Sequence, residues 1–139
     1  MATIHVDIVS AEGAIFSGAA AMLFVPAEMG EMGIAPRHSP LIARLANGEI
    51  RVQSEDGGEQ MFFVSGGVLE VQPGGVTVLA DTALRAKDID EAAVLKAKQE
   101  AEEALAERKG DIDMARAQAE LAEAVARLRF LEKIRRSGK

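Results

Sequence analysis

The sequence predicts an α+β chain in which a β-rich domain precedes an antiparallel pair of helices. Residues 1–84 consist of short apolar runs separated by turns that contain glycine and proline. Residues 85–139 contain two glycines and no proline, and they are rich in alanine, glutamate, lysine and arginine, a composition that favours helix. Gly110 divides this second part into two segments. We therefore expect two domains, residues 1–84 and residues 85–139.

Period-two alternation places the strands of the first domain. In residues 3–9, Ile4, Val6 and Ile8 alternate with polar side chains, which is the pattern of a strand with one buried face. Similar short runs occupy residues 22–25, 41–45, 49–53, 60–64, 68–71 and 76–79. Turn residues separate them at 30–33, 36, 40, 47–48, 56–58, 65–67 and 73–75. Because no helix lies between the strands, a sandwich or a barrel is favoured over a parallel sheet.

The second domain is predicted to be a helical hairpin. Asp88, followed three residues later by Glu91, matches a capping box, and Gly110 is a suitable stop for a first helix of about 20 residues. Asp111 or Asp113 can cap a second helix that runs almost to the end of the chain. Since only a few residues connect the helices, we expect them to be antiparallel.

The predicted seam between these helices is weak. On the second helix, apolar residues recur at steps of three and four: Met114, Ala117, Leu121, Ala124, Leu128 and Leu131. On the first helix, the residues at similar spacing are mostly alanines: Ala93, Val94, Ala97, Ala101, Ala104 and Leu105. Each buried methyl-sized group contributes only about 0.8 kcal/mol before ordering entropy is subtracted. We therefore expect a marginally stable hairpin that can open.

Charge is distributed unevenly in a chain of net charge -6. Residues 1–84 hold ten acidic residues against three arginines. The end of the second helix is basic and carries Arg127, Arg129, Lys133, Arg135 and Arg136. This basic segment fits either an acidic partner or a solvated helix end that complements the helix dipole.

No constellation of catalytic or metal-binding residues is evident in the sequence. There is no cysteine, which excludes disulfides and thiolate metal sites and fits a reducing cytoplasm. His5 and Asp7 share one face of a predicted strand, but an exposed polar pair is the simpler interpretation. His38 precedes Ser39 without a supporting acid nearby, so no catalytic triad is indicated. We predict that the chain is not an enzyme by itself.

Nucleotide, nucleic-acid and membrane-spanning motifs are also missing. Residues 13–18 have the glycine spacing of a phosphate-binding loop, but Ala19 and Ala20 replace its lysine and its serine or threonine. The aromatic residues are five phenylalanines and the β domain is acidic, so nucleic-acid binding is not expected. No apolar run approaches the roughly 20 residues that span a bilayer, and no signal peptide is visible. Protein–protein contacts remain as the expected function.

Several segments in order resemble the epsilon subunit of bacterial F-type ATP synthases, the homologue of the mitochondrial delta subunit. They are DIVSAE at residues 7–12, FSG at 16–18, GIAPRHSPL at 33–41, SGGVLEVQPG at 65–74, VTVLADTA at 76–83 and IDEA at 89–92. The similarity spans essentially the whole chain. The resemblance implies a ten-stranded β-sandwich followed by a helical hairpin.

The resemblance also implies a non-catalytic rotor subunit of the central stalk. Such a subunit binds the gamma subunit and the c-ring, and it couples proton flow to ATP synthesis on the alpha and beta subunits. Glu31, Met32 and His38 match the end of the sandwich that faces the c-ring, although a polar turn would look the same in sequence. The implied location is peripheral, at the cytoplasmic face of the bacterial inner membrane, without direct insertion into the bilayer.

For the hairpin, the resemblance implies a regulatory role. In the family it can extend along gamma into the alpha–beta assembly and inhibit ATP hydrolysis. The five basic residues of the second helix would then face acidic segments of the beta subunit.

Some family members bind ATP through an Ile-Asp-x-x-Arg-Ala motif, which holds the hairpin closed. Here Ile89 and Asp90 match that motif, but Ala93 and Val94 stand at the arginine and alanine positions. No cofactor is therefore expected, and an ATP-responsive sensor is the alternative function.

Overall fold

The computed structural model describes residues 2–107 and 110–136, and the chain forms two compact units, Met1–Arg85 and Ala86–Lys139. The first unit contains eight strands: β1 (Ile4–Ser10), β2 (Gly13–Ala20), β3 (Met22–Ala27), β4 (Gly30–Ile34), β5 (Leu41–Arg44), β6 (Gly48–Gln53), β7 (Glu59–Gln72) and β8 (Gly75–Leu84). Their order in the sheet is β2-β1-β8-β7-β6-β3-β4, and β5 pairs with β7. All pairs are antiparallel except β1 with β8.

The predicted sandwich is confirmed, but it has eight strands instead of ten. Part of the difference lies in β7, which has 14 residues and joins the two predicted runs 60–64 and 68–71 in one strand. β7 pairs with β6 over Glu59–Val64 and with β5 over Val68–Val71. Ser65, Gly66 and Gly67 therefore lie inside β7, and the prediction of a turn at these residues was wrong.

Alternation along the strands produces the core of the first unit. Val6 and Ile8 of β1 are buried, as the first predicted strand requires. The same alternation buries side chains of the other strands, including Leu23, Val25, Ile34, Ile50, Val52, Phe62, Val64, Leu69, Val71, Val76 and Val78. All members of this core cluster come from the first unit, so the sandwich has a hydrophobic core of its own.

Two strands were not predicted, and both lie at the ends of the sheet order. β2 contains two glycines and three alanines, and β4 contains two glycines, so neither has the β-branched composition typical of strands. As edge strands, each of them pairs with one neighbour only. Residues 13–18 are thus part of a strand and not a phosphate-binding loop.

The second unit contains a short 3₁₀ helix (Ala86–Asp88), α1 (Glu91–Glu107) and α2 (Asp111–Arg136). Asp90 is the N-cap of α1, because its Oδ1 accepts the backbone N–H groups of Ala92 at 3.1 Å and Ala93 at 3.3 Å. The prediction that Asp88 is this cap was wrong, since the 3₁₀ helix ends there.

Gly110 precedes α2 in a left-handed conformation (φ 73°), and its carbonyl accepts the N–H of Met114 at 3.0 Å. Of the two predicted caps for α2, Asp113 lies inside the helix. The side chain of Asp111 lies outside the described part of the chain.

The helices pack through a small apolar seam that differs from the prediction on α1. On α2, Ala117, Ala124 and Leu131 are buried, as the predicted stripe requires. On α1, Val94 and Ala101 are buried. The other predicted alanines of α1, at 93, 97 and 104, are exposed, whereas residues 98 and 105 are partly buried. The buried face of α1 is therefore rotated by about one residue from the prediction.

Replacing Asp90 with alanine should loosen the first turn of α1. Loss of an N-cap oxygen typically costs about 1 kcal/mol. Amide hydrogen exchange of Ala92 and Ala93 should therefore become faster. The matched control is Asp90→Asn, which keeps a capping oxygen. In this variant the two amides should exchange nearly as slowly as in the wild type. Equal protection in the alanine and asparagine variants would contradict the assigned cap.

Candidate functional site

On the first unit, Glu31 is an exposed carboxylate held in place by Arg51. The Arg51 Nη2 donates to both Glu31 oxygens, at 3.2 and 3.3 Å. The same guanidinium lies 4.2 Å above the ring centroid of Phe24 and 3.6 Å from the Glu59 carboxylate. The cation–π contact and the second carboxylate restrict Arg51, so Glu31 is presented outward from β4 in a fixed position.

The other two residues expected near Glu31 have different surroundings. Met32 is partly buried and packs against the core. His38 follows the end of β4, and its Nδ1 donates to the Ser39 carbonyl at 2.7 Å. It lines a cavity together with the start of the chain and the turn between β7 and β8. Of the three residues, Glu31 is thus the one most open to a partner.

His5, Asp7 and Ser17 form a hydrogen-bonded cluster on β1 and β2. The Ser17 hydroxyl donates to Asp7 Oδ1 at 2.6 Å, and the His5 Nε2 donates to the same oxygen at 3.2 Å. The serine therefore points at the carboxylate, whereas a nucleophile needs a base that accepts its proton. In the described part of the chain, no group of three or more histidine, cysteine, aspartate or glutamate residues could hold a metal ion.

The hydrogen bond from Ser17 is the main reason that the pKa of Asp7 lies below its usual value, and His5 adds to the effect. A depressed carboxyl pKa stabilises the folded state above the unfolded pKa, and this stabilisation is lost as pH falls through the folded pKa. Ser17→Ala should therefore raise the pKa of Asp7, as measured by NMR titration of its carboxyl carbon. Ser10→Ala, in which the lost hydroxyl bonds Glu12 instead, should leave it unchanged. An unaltered Asp7 pKa in Ser17→Ala would refute this assignment.

On the second unit, the residues that match the ATP motif line an open cavity of about 390 Å³. Its lining comprises Asp88, Ile89, Asp90, Ala93, Val94, Ala97, Glu120, Glu123, Ala124 and Arg127. Ile89 and Asp90 thus lie near Arg127, which donates to Glu123 at 2.6 Å. The four carboxylates disfavour a polyphosphate, and the Asp90 carboxylate already caps α1.

The basic residues of α2 are partly engaged within the hairpin. Arg135 pairs with Glu91 of α1, and Arg136 lies 4.0 Å from Glu132. Both pairs are solvent-exposed, and such pairs contribute roughly 0–1 kcal/mol each. Arg129 and Lys133 are exposed on the same helix. The pair between helices was missed at the sequence level, because its partners are 44 residues apart and only the hairpin register brings them together.

Within the described residues, we find no helix with the length and apolar character needed to cross a membrane.

Comparisons with known proteins cover both units. Residues 3–86 match the family of ATP synthase delta/epsilon chain β-sandwich domains, and residues 87–132 match the long α-helix domain of the same chains. The ATP synthase epsilon chain of Nitrosococcus oceani is 67% identical over 134 residues, which cover 96% of each chain. That of Alkalilimnicola ehrlichii is 61% identical over 139 residues, which cover 100% of this chain and 99% of the relative.

Solved structures support the fold at lower identity. A chain in the OSCP/F1/c-ring part of the mitochondrial ATP synthase of Euglena gracilis superposes with a TM-score of 0.80. It is 23% identical, and the alignment covers 91% of this chain and 79% of that one. A chain in the central stalk and c-ring of the Tetrahymena thermophila enzyme gives a TM-score of 0.62 at 8% identity, covering 91% and 95%.

Proposed function

The chain belongs to the ATP synthase delta/epsilon family, and from this membership we propose that it is a rotor subunit in the central stalk of a bacterial, proton-translocating F-type ATP synthase. The observation that carries this proposal is 67% identity to an epsilon chain over both units. The subunit is not catalytic itself. It would couple c-ring rotation to ATP synthesis at the cytoplasmic face of the inner membrane.

The first test is binding to the gamma subunit. Purified full-length chain should co-purify with gamma in a stable complex. A folded chain that does not bind gamma would refute the rotor assignment.

We propose further that the sandwich faces the c-ring through Glu31 and His38, with Met32 supporting β4 from the core. Because this chain has no cysteine, a single cysteine placed in it is the only one that this subunit contributes to the reaction. Glu31→Cys and His38→Cys should cross-link to a c subunit in the assembled enzyme. A cysteine at Glu55 is the control for Glu31. Glu31 lies beside the β3–β4 turn, whereas the antiparallel pairing of β6 with β3 places Glu55, in the turn after β6, near the opposite end of β3. Equal cross-linking at all three positions, or at none, would contradict the proposed orientation.

The second candidate function is an ATP-responsive sensor, and the cavity lined by Ile89, Asp90 and Arg127 is the observation that favours it. The missing arginine argues for weak or no binding. Calorimetric titration of the wild-type chain with millimolar ATP should therefore give no binding heat.

Restoring the arginine tests whether the cavity itself can accept nucleotide. Ala93 is exposed and lines the cavity, so Ala93→Arg places a guanidinium at its rim. This variant should bind ATP more tightly than the wild type, because the added guanidinium offsets part of the negative charge of the lining. Ala92→Arg is the matched control, because Ala92 is equally exposed but does not line the cavity. Binding by the wild type would show that the arginine is dispensable, whereas no binding by Ala93→Arg would exclude the sensor.

A further inference from the structure

A small cavity in the first unit has the lining of an anion site. It lies between the start of the chain with β1, the turn after β4 and the turn between β7 and β8. Its volume is about 190 Å³. The described residues that line it include His5, Arg37 and His38 but no carboxylate. This is unexpected in a domain with ten acidic residues and three arginines in residues 1–84.

Arg37 occupies a backbone position that does not favour arginine. Its φ of 67° is the one positive value among the described residues other than glycine. The N–H of His38 donates to the Ala35 carbonyl at 3.2 Å, and Pro36 stands at the second position of this turn. In a type II turn with this pattern, glycine is preferred at the third position. An arginine there is strained, so the turn does not explain its presence.

The Arg37 guanidinium is available to a ligand. It makes no hydrogen bond or ion pair with residues 2–107 or 110–136, and the residue is exposed. Its planar fork of donors matches two oxygens of a phosphate group, a geometry that a lysine cannot provide.

The two histidines are oriented by hydrogen bonds through one nitrogen each. The Nδ1 of His38 donates to the Ser39 carbonyl, and the Nε2 of His5 donates to the Asp7 carboxylate. The second nitrogen of each ring has no hydrogen-bond partner in the described part of the chain. Thr3 and Gln72 also line the cavity, and both have neutral polar side chains.

We propose that this cavity binds a phosphate group, carried either by inorganic phosphate or by the phosphomonoester headgroup of a membrane lipid. Arg37 binds the phosphate oxygens, and His5 and His38 flank it. The site does not depend on the rotor assignment, because it is argued from the chemistry of the cavity lining and not from family membership.

The test is a titration of the full chain with sodium phosphate, followed through backbone amide shifts by NMR, with sodium chloride of equal ionic strength as the blank. The amides of His38, Gly74 and Gly75 should show saturable shifts. Arg37→Gln should weaken phosphate binding about tenfold or more, because a charge-assisted bidentate contact is lost. Arg44→Gln is the matched control, since Arg44 is exposed and does not line the cavity. Arg44→Gln should bind phosphate with the affinity of the wild type.

Arg37→Gly separates loss of binding from loss of folding. Glycine removes the guanidinium but suits the left-handed turn, so this variant should melt no lower than wild type and still fail to bind.

Vesicles distinguish the two sources of phosphate. Co-sedimentation with phosphatidylcholine vesicles that contain phosphatidic acid, lost in Arg37→Gln, assigns the site to a lipid headgroup. Saturable shifts with inorganic phosphate and no such co-sedimentation assign it to free phosphate. The proposal is overturned if neither ligand binds, or if Arg37→Gln and Arg44→Gln bind equally.

Discussion

Gly67→Ala is expected to lower the free energy of unfolding of the sandwich by about 4 kcal/mol or more. Few single substitutions cause a loss of this size. A Cβ atom at this position would lie 2.1 Å from the Leu79 carbonyl oxygen and 2.7 Å from the Ala80 Cα. Both atoms belong to the backbone of β8, so a side-chain movement cannot relieve the overlap. The φ of 112° adds strain, because residues with a side chain rarely adopt it.

Gly74→Ala is the matched control, since nothing lies within 4 Å of an added Cβ and its φ is not positive. It should leave stability within about 1 kcal/mol of wild type. Urea unfolding is best followed by far-UV circular dichroism, because the chain has neither tryptophan nor tyrosine. Similar midpoints for the two variants would show that β7 and β8 can separate at Gly67 at low cost.

The same glycine explains why the strand count could not be predicted. Two adjacent glycines between apolar runs are the normal signal of a turn. Here Gly66 and Gly67 both have positive φ, yet Ser65 pairs with Thr82 and Gly67 pairs with Ala80. The chain therefore continues along β7 without reversing direction. The local sequence pattern shows that glycine is required at these positions. It does not show whether β8 stays paired with β7 there.

The other differences also depend on tertiary structure. The edge strands β2 and β4 are held by pairing with one neighbour, although their composition is unlike that of a strand. Asp88 and Asp90 are both suitable caps by residue type, and the 3₁₀ helix at Ala86–Asp88 decides between them. In contrast, the alternation that buries Val6 and Ile8 was sufficient to predict β1, because one face of the strand lies on the core.

For the candidate surfaces, the sequence supplied the charged residues but not their partners. The five basic residues of α2 were identified from composition alone. The pairs Arg51–Glu31 and Arg135–Glu91 join residues 20 and 44 positions apart, so they require the strand register and the hairpin register respectively. The cavity around Arg37 was likewise missed, because its three segments are distant in sequence.

Deletion of the chain from Asp88 onward should raise the ATPase activity of the assembled enzyme, if the hairpin inhibits hydrolysis as the family resemblance implies. Removing an arm that inhibits half of the complexes would double the rate, so we expect an increase of about twofold or more. The sandwich should survive the deletion, because every residue of its core cluster lies before position 84. Arg85 should also remain anchored, since its guanidinium donates to the Ile15 carbonyl and lies 5.7 Å from the Phe62 ring centroid.

The measurement compares ATP hydrolysis and ATP-driven proton pumping of enzyme assembled with full-length or truncated chain. Both enzymes should pump, because gamma and the c-ring are proposed to bind the sandwich. The seam supports this regulatory role. Three of its buried residues are alanines (Ala101, Ala117 and Ala124), so together with Val94 and Leu131 they bury less apolar surface than a seam of larger side chains would. An unchanged hydrolysis rate with intact pumping would contradict inhibition by the hairpin. Loss of pumping would instead show that coupling requires the second unit, and the division of roles between the two units would be wrong.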